Sequence, residues 1–309
     1  GNLSATVANT AAITTDTTNA AASFALNADT GTVTNTTSDA TVNVTLAADV
    51  ASWEYSLDAG TTYSTGTGTS FELAANTTYA ISDIVVRQTD GAGNLSATVA
   101  NTAAITTDTT APTLTISMAD TALEVGDTST VTFTFSEEVS DFTSADVAVA
   151  NGSIGTITTS DNIVYTATYT PTDNVTDTSN IITVTNTGVT DSAGNAGLST
   201  TDTANYTVDT VEPTVSIAMN DTALKVGETS TVTFTFSEVV TGFAAADVTV
   251  ANGSITTPSS SDGGTTYTAT YTPTDDITDT TNVITVDNTG VADSAGNAGL
   301  STTDTANYT

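Results

Sequence analysis

Three short stretches place an aspartate and an asparagine four residues apart around a glycine: DGAGN at 90–94, DSAGN at 191–195 and DSAGN again at 293–297. Each has acidic company elsewhere. Asp16, Asp108 and Asp209 precede the three stretches by a similar length of chain, Glu137 and Glu238 each end a VTFTFSE run, and Glu212 follows Asp209 closely. Side chains of this kind offer only oxygen, and an all-oxygen set suits a hard cation that takes 6–8 ligands, above all calcium. Carboxylates brought within roughly 4–6 Å repel by about 1 kcal/mol per pair even in water. The chain has 2 basic residues against 35 acidic ones, so a metal ion is the ready source of compensation. Gly194 and Gly296 would let the loop fold back on an ion. The plainer alternative is that Asp-x-x-Gly-Asn is only a turn and the other acids are solvated. No complete EF-hand loop is present.

Other chemistry is excluded by what the chain lacks. With no histidine and no cysteine, the commonest general base and every thiol mechanism are missing. Two carboxylates can hydrolyse a glycoside, but a catalytic pair sits once in one cleft, whereas these acids recur at the same place along the chain. No enzyme activity is expected. A net charge of -33 repels nucleic acid and anionic lipid and attracts cations. No run of 18 apolar residues occurs, so no membrane insertion by helix is expected.

The elements that position these acids come in repeats. Residues 1–18 recur letter for letter as 93–110, and ALEVGDTSTVTFTFSE (122–137) returns as ALKVGETSTVTFTFSE (223–238). Periods near 100 residues mark whole domains in tandem. The division is 19–110 (type 1), 111–210 and 211–309 (type 2), with 1–18 read as the last strand and linker of a preceding repeat. That tail implies a window cut from a longer chain, or a strand donated to a second copy. About a quarter of the chain is threonine, and β-branched residues favour strands. Within 111–210 the strand-like runs are Leu114–Met118, Thr130–Phe135, Asp146–Val149, Ile163–Tyr169, Ile181–Val184 and Ala204–Val208. Turn-rich segments, ADTALEVGDTS, ANGSIG, TPTDNVTDTSN and DSAGNAG, separate them. Short alternating strands at this spacing suggest an all-β fold, a tandem array of immunoglobulin-like β-sandwich domains, elongated overall.

TAPTLTI…TSTVTFTFSEEVSDFTSADVAVANGSI…YTATYTPT…GVTDSAGNAG resembles the bacterial immunoglobulin-like repeats of giant, type I-secreted surface adhesins. SWEYSLDAGTTYSTGTGTSFELAANTTYAISDIVVRQTDGAGNLS (52–96) is similar to a second repeat type of that class. The resemblance covers essentially the whole chain. It implies an extracellular location at the bacterial cell surface, a structural role as an extender supporting adhesion or biofilm formation, and interdomain calcium as the stiffening element.

In such a sandwich, the loops after the second and sixth strands lie where the chain enters. Asp108, Glu137, Asp191 and Asn195 should therefore converge at one junction, and Asp209, Glu212, Glu238, Asp293 and Asn297 at the next. Asp16, Asp90 and Asn94 form the corresponding set for 19–110. The linkers DTTAP and DTVEP each carry a proline that limits their freedom. A runner-up function is a glycan- or protein-binding module in 19–110, built on Trp53, Tyr55, Tyr63, Phe71 and Tyr79. A lone Trp on a third strand is, however, more often core. Lateral association of copies as a sheath is a further alternative. An ice-binding face would need a flat threonine ladder in register, which threonine spread over every strand does not suggest.

Overall fold

In the computed structural model, residues 14–305 and 307–309 are described. The expected tail strand, residues 3–13, lies outside them. Among the described residues the only helices are four three-residue 3-10 turns, and the rest of the regular structure is strand. The chain groups into two compact units. One holds the chain up to Thr113 with Phe135–Phe142 and Asn186–Ser199; the other holds Leu114–Thr134, Thr143–Thr185 and Thr200–Thr309.

In the first unit, Thr41–Thr45 pairs antiparallel with Ser23–Leu26 on one side and Ser70–Glu72 on the other, setting Val42 opposite Phe71. A second sheet centres on Val50–Ser56 against Val85–Asp90, with Trp53 opposite Gln88. Between these layers lie Val42, Val44, Trp53, Phe71, Ile84, Val86 and Ile105, all buried. Alternation in TVNVT puts Val42 and Val44 inward and the polar residues outward, which is why this stretch is a sheet face and not a helix. Trp53 is 4% exposed, its indole N–H donates to the Gly68 carbonyl at 3.0 Å, and a Cβ on Gly66 would overlap its ring. The side chain serves as core. Phe71 and Tyr79 are buried as well, so the aromatic set of the binding-module alternative faces mostly inward. Arg87 pairs with Glu54 at 2.7 Å and stacks over Tyr63 with 3.6 Å to the ring centroid.

In the second unit, Ser129–Phe135 pairs with Val164–Pro171, setting Val131 opposite Ala167 and Phe133 opposite Tyr165. The third repeat has the same register: Val232 faces Ala269 and Phe234 faces Tyr267. Both STVTFTF strands bury every second residue and turn threonine outward. Tyr169 and Tyr206 meet edge to face with centroids 5.3 Å apart, and each hydroxyl donates to the Ala150 carbonyl at 2.8 Å. Tyr271, Tyr308 and Ala251 repeat the arrangement. In each repeat a segment early in the chain also runs parallel to the last strand: Thr36 beside Thr106, Ala122 beside Thr207, and Leu224 with Thr222 hydrogen-bonded to Thr309.

The structure corrects the expected turn segments. Ala122–Leu123, Gly152–Ile154 and Thr176–Asn180 are strands. Thr176–Asn180 is polar throughout and mostly exposed, so it carries no apolar alternation to mark it; its pairing with Tyr206–Asp209 forms it.

Candidate metal centre

The Asp191–Asn195 turn is built around one carboxylate. Asp191 is 1% exposed, and its Oδ1 accepts the N–H groups of Ala193 at 2.8 Å and Asn195 at 2.9 Å. Its Oδ2 accepts the Asn195 amide at 2.8 Å. Gly194 sits at φ +91°, in the left-handed region that lets the turn close. The Asn195 amide also donates to the Asp108 carbonyl at 2.9 Å, which ties the turn to the incoming linker. Val139 pairs with Asp191 antiparallel, bringing the Glu137 loop alongside.

The other two turns repeat this pattern. Asp293 Oδ1 accepts from Ala295, Gly296 and Asn297, while the Asn297 amide bridges Asp293 Oδ2 and the Asp209 carbonyl. Asp90 accepts from Ala92 and Asn94, and the Asn94 amide reaches the Asp16 carbonyl at 3.2 Å. The Asn94 side chain and these backbone donors hold the Asp90 carboxyl below its usual range against the opposing effect of burial. All three asparagines thus act as donors. An oxygen in place of each amide nitrogen would face two other oxygens, so the orientation follows from the partners. Asn297 uses its Oδ1 too, accepting the Val125 N–H at 2.7 Å. The asparagines position the turn and the linker, and the carboxylates face the centre.

Three carboxylate groups result: Asp16, Asp49 and Asp90; Asp108, Glu137 and Asp191; Asp209, Glu238 and Asp293. In each, one oxygen per residue lies within 4.8 Å of the others. Glu212, half-buried on the same linker, is not one of the three at the last centre. Asp49 was not singled out from sequence. It follows the second full strand of its sandwich, the place Glu137 holds in the next repeat, and its carbonyl accepts the Gly91 N–H at 3.0 Å.

The electrostatics are those of uncompensated charge. Burial, then Asp191 and Asp108, push the Glu137 carboxyl above its ordinary range; burial, then Asp293 and Asp209, do the same to Glu238. Oxygens bound to one calcium ion at 2.3–2.6 Å stand at most about 5 Å apart, so the 4.8 Å spread fits that ion. Three carboxylates with nearby backbone carbonyls are also the hard donor set calcium takes.

The Asp191 and Asp293 turns are also held from behind by the repeat before them. In the first unit, Thr30 Oγ1 donates to the Ala193 carbonyl at 2.6 Å, and the N–H groups of Thr32 and Ser38 donate to Ser192 and Ala193 at 3.0 and 3.1 Å. Backbones come so close that a Cβ on Gly31 would lie 2.5 Å from the Ser192 carbonyl oxygen. In the second unit, Val125 and Glu124 take this place against Asn297 and Gly296.

Tandem all-β sandwiches joined through repeated acidic turns define a class of modular, immunoglobulin-like proteins. The chain belongs to the bacterial Ig-like domain family, whose sequence model matches residues 108–208 and again 209–309. No curated protein matches it. Among solved structures it is similar to FdeC, an Escherichia coli adhesin, at 16% identity and a TM-score of 0.37, over 92% of this chain and 96% of that one. It is similar to the Yersinia pseudotuberculosis adhesin InvE at 18% identity and 0.26, over 63% and 58%. Domains 4–9 of the surface layer protein SbsC match at 15% and 0.20, over 86% and 42%. Likenesses this low say nothing of what this chain binds. Among the described residues no helix is long and apolar enough to cross a membrane.

Proposed function

We propose that this chain is an extender segment of a bacterial cell-surface adhesin, extracellular and without catalysis, whose junctions are stiffened by calcium. The observation that carries the reading is the recurrence, at each of three places, of a linker aspartate, a loop acid and the buried aspartate of an Asp-x-x-Gly-Asn turn within 4.8 Å. Asp108 and Asp209 belong to the linkers, while Glu137, Asp191, Glu238 and Asp293 belong to the sandwiches that follow. An ion held by both parts removes the hinge between them. Calcium and the neighbouring repeats are then the partners of each junction, and adhesion or biofilm formation is served by reach. Family membership supports the modular, extracellular role.

Small-angle scattering of the chain in calcium and in EDTA tests the reading. The expected result is a shorter maximum dimension and a broader distance distribution after chelation. An unchanged maximum dimension would remove the stiffening role.

A further inference from the structure

The two clasps behind the acidic turns differ in charge. In the first unit the contacts to Ser192 and Ala193 come from the Thr30 hydroxyl and the backbone N–H groups of Thr32 and Ser38. In the second unit the Val125 N–H donates to Asn297, and a carboxylate lies beside it. A Cβ on Gly296 would overlap both oxygens of Glu124, so this side chain lies directly on the turn that carries Asp293. Asp127, Asp293 and Asp120 all act on it electrostatically.

The same turn occurs one repeat later with the opposite charge. Glu124 N–H donates to Asp127 Oδ2 at 3.0 Å, and the Asp127 N–H returns to the Glu124 carbonyl at 3.2 Å. Lys225 N–H donates to Glu228 Oε2 at 2.9 Å, and the Glu228 N–H returns to the Lys225 carbonyl at 3.0 Å. Gly126 and Gly227 both sit at φ +81°. The backbone is therefore one conformation carrying glutamate in one copy and lysine in the other, and Lys225 is one of only two basic residues in the chain. The next residue registers the cover that the clasp provides: Val125 is 40% exposed, Val226 77%.

We propose that residue 124 is a specificity-determining position that sets how strongly the second junction demands a cation. Glutamate adds a further negative charge to the Asp209, Glu238 and Asp293 group and deepens the potential well for a divalent ion. Lysine on the same turn places a positive charge there and lowers the demand. A repeat of this type thus specifies the cation dependence of the junction it presents, through one side chain outside the three-carboxylate group. The inference rests on the calcium reading above.

The experiment uses the full chain and calcium ion as probe, with hydrogen exchange of the peptide spanning 293–297 read by mass spectrometry. Variants are E124K, E124Q, K225E and the swap E124K/K225E, which leaves net charge unchanged. Two units of charge acting on a divalent ion within a Debye length should raise the half-protecting calcium concentration about tenfold in E124K at ordinary salt. The swap should match E124K, E124Q should fall between, and K225E should stay at the wild-type value. The turn already accepts lysine at 225, and the peptide spanning 191–195 in the same sample reports that the rest of the chain is folded. A wild-type response that is unchanged in E124K overturns this inference and leaves the calcium reading standing. An equal shift in K225E also overturns it, because the effect would then belong to overall charge. A wild-type 293–297 peptide indifferent to calcium sinks the calcium reading and this inference with it.

Discussion

Replacing Glu137 by glutamine separates repulsion from ligation at the centre of the first unit. Asp191 would be the obvious target, but its carboxylate accepts three hydrogen bonds within its own turn, so removing it damages the turn whether or not an ion binds. Glutamine at 137 removes one charge with nearly unchanged volume. Two like-charge pairs are relieved, with Asp191 and with Asp108, at oxygen separations up to 4.8 Å. Coulomb's law gives about 0.9 kcal/mol per pair at that distance in a water-like medium, and salt near 0.1 M reduces the sum of the two to roughly 1 kcal/mol. For a sandwich of this size that is about 4–8 °C in melting temperature. Differential scanning calorimetry in EDTA should therefore show E137Q melting higher than the parent. In millimolar calcium the order should reverse, because the ion adds stability only in proportion to its affinity, and that affinity has lost a charged ligand. An E137Q protein that melts at or below the parent in EDTA, or keeps the full calcium-induced rise, would refute the reasoning.

Two further outcomes follow from the same geometry. Glu137, Glu238 and Glu124 have carboxyls raised above the usual 4.5, so the folded state binds more protons than the unfolded one just above that value. Stability in EDTA should rise as pH falls from neutral toward 4.5. Below 3.8 it should fall, as Asp39, Asp90 and Asp58 (held at about 2 by hydrogen bonds from Ser56 and Thr62) are forced to protonate. A melting temperature that declines steadily from pH 7 downward would contradict this. Gly31→Ala puts a methyl 2.5 Å from the Ser192 carbonyl oxygen and closer still to the Thr36 carbonyl oxygen, so both its own loop and the Asp191 turn are strained. A loss of about 1–3 kcal/mol is expected, with faster amide exchange at 191–195; exchange matching the parent would show that the clasp yields freely.

Much of the fold was legible because the core strands alternate. Val131, Phe133 and Phe135 point inward from a run whose other residues are threonine, and the structure places a strand at Ser129–Phe135. The polar edge strand Thr176–Asn180 carries no such signal, since its partner and not its pattern makes it a strand. The acidic turns were visible because Asp-x-x-Gly-Asn recurs three times, the last two letter for letter. Asp49 was not, because the 19–110 repeat differs in sequence and offers no aligned acid. Nor could the asparagine roles be read: donor and acceptor ends of an amide look alike until the Asp108 and Asp209 carbonyls are placed beside them. The clasps lie beyond sequence reading altogether, joining residues 163 and 172 positions apart through groups that each look like an ordinary turn.

The parallel pairing between an early segment and the last strand, present in every repeat, has a mechanical consequence. In the first repeat Thr36–Thr37 runs beside Ile105–Thr107, and in the second Ala122–Leu123 runs beside Tyr206–Asp209. Tension along the chain pulls the early segment one way and the final strand the other, so the two slide past each other instead of peeling apart. All hydrogen bonds of the patch then carry load together, and the sandwich yields only when they fail at once. In a repeat of about 100 residues, this short parallel patch is where resistance to pulling is concentrated, directly beside the linker aspartates Asp108 and Asp209.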